Sequence, residues 1–275
     1  MARRGCLRSD YCGARLVIFR KEARYTSFCM RKAGTLQSNN KVLSRTPGIA
    51  LVTGAASGIG AACAAELRQR GWLVAGLDLH LSDGVDLGVV ADAADAGRVT
   101  TVVQQVEREL GPINAVVSAA GHYAMVPIAD ISWADWRLML HVHLGGLMNL
   151  CRATLPGMRA RGDGNIVAIT SELAIGGGDG DSHYAATKGA IIGFVRSLAV
   201  ELADTGIRVN AVAPGPTDTA LLSADSPWRS PAYLRTLPVG RLVRPEEVAL
   251  SVAFLIEDGT FCCGEILSPN AGAVI

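Results

Sequence analysis

Six short stretches of this chain are apolar at consecutive positions instead of alternate ones: "GIALVTG" (48–54), "WLVAGLD" (72–78), "INAVVSAAG" (113–121), "GNIVAITS" (164–171), "IRVNAVAPG" (207–215) and a last one around "GEILSPN" (264–270). A strand with one wet face alternates polar and apolar residues; a strand without alternation is covered on both faces. Between these runs lie segments with helical spacing: "AACAAELRQRG" (61–71), "RVTTVVQQVERELG" (98–111), a long one from Ser132 to Gly162, "YAATKGAIIGFVRSLAVELADTG" (184–206) and "PEEVALSVAFLIED" (245–258). Several stop at glycine, as helices do. Buried strands alternating with helices predict an α/β fold, a parallel sheet with helices on both sides. No repeat or low-complexity linker follows Pro47, so one domain is expected over 48–275.

The first 47 residues have a different texture. They hold 11 Lys/Arg against two acids, Asp10 and Glu22, while the remaining 228 residues carry 15 basic against 23 acidic side chains. This basic N-terminal extension reads as a disordered appendage, as a stretch upstream of the true start at Met30 or later, or as an organelle-targeting peptide, whose composition it partly matches. The acidic body does not fit a nucleic-acid binder. No apolar run reaches the ~18–20 residues of a membrane span. Seven cysteines without metal-type spacing, two of them adjacent (Cys262 and Cys263), suit reduced thiols and a cytoplasmic location.

"TGAASGIG" (53–60) follows the first strand and opens the first helix. Glycine permits a tight turn and lets a pyrophosphate approach the backbone, and the helix start supplies free N–H groups. Gly54, Ser57, Gly58, Ile59 and Gly60 are therefore candidate dinucleotide contacts. The second strand ends at Asp78, 18 residues after Gly60, where a carboxylate can meet ribose hydroxyls and repel a 2′-phosphate. No Lys or Arg in the loop or just after Asp78 offsets it, which favours NAD(H) over NADP(H).

"SHYAATKGA" puts Tyr184 and Lys188 four apart, on one helix face. A tyrosine hydroxyl with a pKa near 10 is a poor acid–base at neutral pH; a nearby ammonium would pull it down. Ser171 ends a strand 13 residues earlier. TGxxxGxG, YxxxK and this serine together resemble the short-chain dehydrogenase/reductase family over about residues 48–275, supported by "RVNAVAPGPTDT" and "RPEEVALSVAFLIED…GEILSPNAG". The resemblance implies a seven-stranded, Rossmann-like doubly wound sheet and a nicotinamide cofactor. It implies Tyr184 as acid–base, Lys188 on the nicotinamide ribose and lowering the tyrosine pKa, and Ser171 on the substrate oxygen. By the same carry-over Pro214, Gly215, Thr217 and Thr219 contact the cofactor, as does Asp92, which also reads as a cap for the following turn.

The sequence departs from the family at two places. "SAAG" (118–121) stands where Asn-Asn-Ala-Gly is usual; Ala120 and Gly121 still leave room for the cofactor. In "LHVHLGG" (140–146) His143 stands where the family has a catalytic asparagine. His141 and His143 cannot chelate one metal, since residues two apart on a helix point about 200° from each other. The resemblance implies a kink in the helix there; His143 is expected to take over the asparagine's role toward a relay water and to add a pH dependence near neutrality, or else to fill that kink.

The turn-rich stretch 216–242, with Leu221, Leu222, Trp228, Tyr233 and Leu234, reads as a lid over a small-molecule substrate with a hydrophobic body. "AIGGGDGDSH" (174–183) reads as a flexible rim, with Asp179, Asp181 and His183 near the mouth. The expected reaction interconverts a secondary alcohol and a ketone, 3-oxoacyl thioester reduction being the commonest role in the family and a diol or alicyclic alcohol dehydrogenase the rival. A reading of another class is a catalytically impaired cofactor-binding regulator or oligomer partner; the missing asparagine favours it, and intact Ser171, Tyr184 and Lys188 argue against it. The apolar face of "AIIGFVRSLAVEL" predicts a homotetramer or homodimer.

Overall fold

The structure, a computed structural model, describes residues 48–275. The basic extension therefore lies outside the described residues. Seven strands form one sheet: β1 (Ile49–Thr53), β2 (Leu73–Asp78), β3 (Leu87–Val90), β4 (Ile113–Ser118), β5 (Gly164–Ile169), β6 (Ile207–Val212) and β7 (Ile266–Leu267). All neighbours are parallel, in the order β3-β2-β1-β4-β5-β6-β7. The chain runs outward from β1 to β3, then returns to the other side of β1 for β4. The loops after β1 and β4 thus part company and open a crevice at the strands' carboxyl ends, where such folds bind ligands.

The helices are α1 (Gly58–Gln69), α2 (Ala96–Glu109), α3 (Trp133–Leu140), α4 (Gly146–Arg161), α5 (Leu173–Gly176), α6 (Ser182–Glu201), α7 (Pro231–Leu234) and α8 (Pro245–Glu257). Every residue of β1 is buried, as absence of polar alternation requires. Leu51, Val116 and Ile166 point to one face and pack with Leu147 and Leu150 of α4 and Val195 of α6. Val52, Val117 and Val167 point to the other and meet Leu67 of α1 and Val248 and Val252 of α8. Each fully buried aliphatic side chain contributes roughly 1.5–3 kcal/mol, so the two half-cores hold the sheet rigid under the crevice.

Three local features differ from the sequence reading. The strand that none of the six apolar runs announced, β3, is the short edge segment "LGVV", partly exposed along its length. The expected helix over 132–162 is continuous, with Ser132 capping it by accepting a hydrogen bond from the Asp135 N–H, but residues His141–Gly145 inside it form a wide π-type turn between α3 and α4. Such turns insert one extra residue and redirect side chains. In the 174–183 segment Ile175 to Asp179 are exposed, as a rim requires, but Asp181 and His183 are buried.

Candidate active site

The glycine loop leaves β1 at Thr53. Gly54 (φ +70°) and Gly58 (φ +53°) have left-handed backbone that other residues rarely adopt. A Cβ on Gly60 would overlap the Gly54 carbonyl, and one on Gly54 would come within 3.0 Å of the Ala120 backbone. Loop and β4 end therefore approach as closely as backbone allows. The Thr53 hydroxyl joins them, accepting from the N–H groups of Ala119 (3.1 Å) and Ala120 (3.2 Å). It supports the "SAAG" turn where asparagine side chains were missed. Asp78 at the end of β2 accepts from the Ala56 N–H (3.0 Å) and the His80 N–H (3.0 Å). Gly54, Ser57, Gly58, Ile59, Gly60, Asp78, Asp92, Ala120, Gly121 and Thr219 all line one cleft. Asp92 is also the turn cap, accepting from the Ala94 N–H at 2.8 Å, while Asp95 caps α2 itself.

An adjoining cavity is lined by Ser171, Tyr184, Lys188, His143, Pro214, Gly215 and Thr217, and shares Ile59, Gly121 and Thr219 with the cleft. Ser171 is placed by the end of β5, and Tyr184 and Lys188 by one face of the first turns of α6. The Lys188 ammonium lies 5.5 Å from the centre of the Tyr184 ring and donates to the Ile169 carbonyl (2.9 Å). Tyr184 meets the edges of two further rings, Tyr123 at 5.1 Å and His143 at 5.8 Å. The 216–242 stretch reaches the same place: Trp228 donates its indole N–H to the Tyr123 hydroxyl (3.0 Å), which donates to Asp181 (2.8 Å). All the residues proposed from sequence for the site thus gather in two connected hollows.

A family model described as Enoyl-(Acyl carrier protein) reductase matches residues 54–273. An acetoacetyl-CoA reductase of Synechocystis sp. is 37% identical over 226 residues, covering 81% of this chain and 94% of that one. The chain belongs to the short-chain dehydrogenase/reductase family. It is also similar to a cis-4-hydroxycyclohexanecarboxylate dehydrogenase of Sinomonas cyclohexanicum, 37% identical over 244 residues, covering 82% of this chain and 95% of that one. A solved 3-ketoacyl-(acyl-carrier-protein) reductase from Brucella melitensis, complexed with NADH, superposes with a TM-score of 0.77 at 25% identity over 83% of this chain and 98% of that one. This short-chain dehydrogenase/reductase is an oxidoreductase of secondary alcohols and ketones.

The electrostatics of the dehydrogenase's cavity depart from the sequence reading. Burial and then the nearby Glu172 carboxyl push the Tyr184 phenol above its ordinary range, against a smaller pull from a hydrogen bond with Ser171. The expected lowering by Lys188 does not emerge, because burial drives Lys188 itself down to about 7 and weakens its charge. His143 is 3% exposed. Its Nε2 faces the backbone of His122, 2.9 Å from the carbonyl and 3.2 Å from the N–H, and its Nδ1 has no partner. A Cβ on Gly121 would overlap its ring. Burial, followed by Lys188, holds its pKa well below 6.5, so His143 stays neutral at physiological pH and the expected near-neutral titration does not reside there. His141 is exposed on the far side of the turn. Among the described residues no group of His, Cys, Asp and Glu forms a metal site.

Two residues escaped the sequence reading. Tyr123 joins Trp228 to the cavity. Glu172, directly after Ser171, is 5% exposed and lines the cavity. Its signal was a charged residue following a buried strand end without a gap.

Proposed function

We propose that this chain is an NAD(H)-dependent dehydrogenase/reductase that interconverts a secondary alcohol and a ketone on a small molecule with a hydrophobic body. The observation that carries the proposal is the convergence of Ser171, Tyr184 and Lys188 on one cavity beside the glycine-loop cleft. The cleft fits a dinucleotide: Gly54 and Gly58, both in left-handed backbone, leave its wall free of side chains, and α1 presents its N-terminus there. Asp78, with no Lys or Arg in the loop, favours NAD(H). Pro214, Gly215, Thr217 and Thr219 would hold the nicotinamide end, and Asp92, Ala120 and Gly121 the adenosine side. When bound, the cofactor supplies or accepts the hydride.

The chain's own residues handle the proton and the positioning. Tyr184 gives a proton to the substrate oxygen in reduction and takes it back in oxidation. Ser171 holds that oxygen by hydrogen bonding. Lys188 binds the nicotinamide ribose, and its buried position gives it a near-neutral pKa that responds to any anion placed beside it. His143 fills the asparagine position as a neutral imidazole whose free Nδ1 can accept from a water. The lid residues Leu221, Leu222 and Trp228 give the cavity an apolar roof that excludes water from the reaction.

The substrate choice between a 3-oxoacyl thioester and an alicyclic alcohol is supported on both sides, by the acetoacetyl-CoA reductase and by the hydroxycyclohexanecarboxylate dehydrogenase. A panel of ketones and alcohols run with NAD(H) and NADP(H) in parallel tests the reading. Turnover of at least one class with NAD(H) preferred is expected; cofactor binding without turnover on any member would overturn it. Free Cys63, Cys151, Cys262 and Cys263 suit a reducing cytoplasm. The protein is a homodimer or homotetramer in this reading; Val200 on α6 and Met148 on α4 are large apolar side chains left exposed. Light scattering that returned a monomer would contradict that part.

A further inference from the structure

Ser171 has one hydroxyl proton, and the Glu172 carboxyl stands within reach of it. Ser171 Oγ and Glu172 Oε2 are hydrogen-bonded at 2.8 Å, and Ser171 Oγ accepts from the Leu173 N–H at 3.2 Å. The Glu172 backbone is pinned by its N–H to the Pro214 carbonyl (3.1 Å), so the carboxyl has little freedom to leave. Among the described residues no Lys, Arg or His forms an ion pair with it. A serine whose proton is committed to a carboxylate can only accept from a substrate. A serine that receives a proton from a carboxylic acid is free to donate.

We propose that Glu172 is a positioning residue that sets the hydrogen-bond polarity of Ser171: as a carboxylate it makes Ser171 an acceptor suited to an alcohol O–H, and as a carboxylic acid it makes Ser171 a donor suited to a ketone oxygen. The inference rests on the reading of Ser171 as the residue that holds the substrate oxygen. It deepens that reading by linking proton occupancy of the cavity to the oxidation state of the ligand it favours. Burial first, and the Asp181 carboxyl after it, push Glu172 up to about 7, against hydrogen bonds from Ser171 and the Glu172 and Leu173 N–H groups. Both forms of the pair are therefore accessible near neutrality. The titratable groups around Glu172 are Tyr184 and Lys188 of α6, Asp181 at its start, Tyr123 after β4, His143 in the π-type turn and Tyr233 of the lid.

The sign follows directly. Ketone reduction needs the donor form, so its kcat/KM falls about tenfold per pH unit above the Glu172 midpoint. Alcohol oxidation needs the acceptor form and rises over the same range. Glu172→Ala removes the acceptor and frees the Ser171 hydroxyl at every pH, and Glu172→Gln removes the titration. In both, the decline of ketone reduction between about pH 7 and 9 is expected to shrink at least threefold relative to the unaltered protein. Lys188 titrates in the same range, so the carboxyl is followed directly: a carboxylic C=O band in difference infrared spectra should titrate near pH 7 and vanish in Glu172→Gln. This measurement needs no turnover.

An unchanged pH profile in both variants, or no carboxylic band titrating near neutrality, overturns the proposal. Loss of activity in both variants at every pH, equal to that of Ser171→Ala, overturns it too, because the donor form should survive. Failure of the underlying functional reading looks different: Ser171→Ala and Tyr184→Phe would then retain full turnover.

Discussion

Replacing Asp78 tests the charge that selects between the two nicotinamide dinucleotides. Its side chain is 14% exposed, and each oxygen is held by a backbone N–H, from Ala56 and from His80. The carboxylate is thus fixed at the cleft wall, with no Lys or Arg between Thr53 and Gly60 to offset it. A phosphate charge about 5 Å away costs roughly 3 kcal/mol at an effective dielectric near 20. Salt in a cleft open to solvent lowers this to about 1.5–2 kcal/mol, or 10- to 30-fold in affinity. Asp78→Ala also removes two acceptors for ribose hydroxyls, each worth about 1 kcal/mol. NADH should then bind about 30-fold more weakly and NADPH about 10-fold more tightly. Asp78→Asn keeps an acceptor for the Ala56 N–H while removing the charge, which separates electrostatics from loop damage. Fluorescence titration with NADH and NADPH at fixed ionic strength gives both constants. A wild-type preference for NADPH, or an unchanged ratio in Asp78→Asn, would refute the reasoning.

Glu172 is a stability liability above neutrality: its pKa is raised from 4.5 to about 7, so the folded state binds the extra proton and stability falls as pH rises through that window. Glu172→Gln should therefore raise Tm at pH 8, by up to about 3 kcal/mol of stability, with little gain at pH 5; a gain that is equal at both pH values would exclude the linkage. Neutral His143 is expected to contribute no limb to the pH–rate profile, while His143→Ala should lower kcat about tenfold and His143→Asn restore most of it; an Ala variant within twofold of wild type would leave His143 as packing alone. Trp228→Phe keeps the edge-to-face contact with Tyr233 (4.8 Å) but loses the bond to Tyr123. Loss of about 1 kcal/mol from lid closure should raise the substrate KM about fivefold with kcat nearly unchanged, and a fall in kcat at constant KM would mean the lid is not what Trp228 holds.

The sheet was legible because its strands are buried on both faces, and continuous apolar runs such as "IALV" have no other comfortable place. β3 was hidden because an edge strand of four residues needs no such run. The gathering of Tyr184, Lys188, Ser171 and the glycine loop was legible through the family resemblance, whose motifs each sit at a strand end or helix start. The partners of these groups were not. That Thr53 supports Ala119 and Ala120 and that Tyr123 joins Trp228 to Asp181 depend on contacts across separate elements. The electrostatics were misread for the same reason. Spacing placed Lys188 beside Tyr184, but burial decides the charge state of both, and burial depends on the whole fold.

The central claim is that Tyr184 exchanges the proton while a bound nicotinamide dinucleotide exchanges the hydride. Its most direct test is to measure cofactor affinity and ketone reduction side by side in the wild-type protein and Tyr184→Phe. The account predicts NADH affinity within about twofold of wild type and a kcat lower by about 10²–10⁴-fold. Turnover in Tyr184→Phe within about threefold of wild type, with cofactor binding intact, would contradict it.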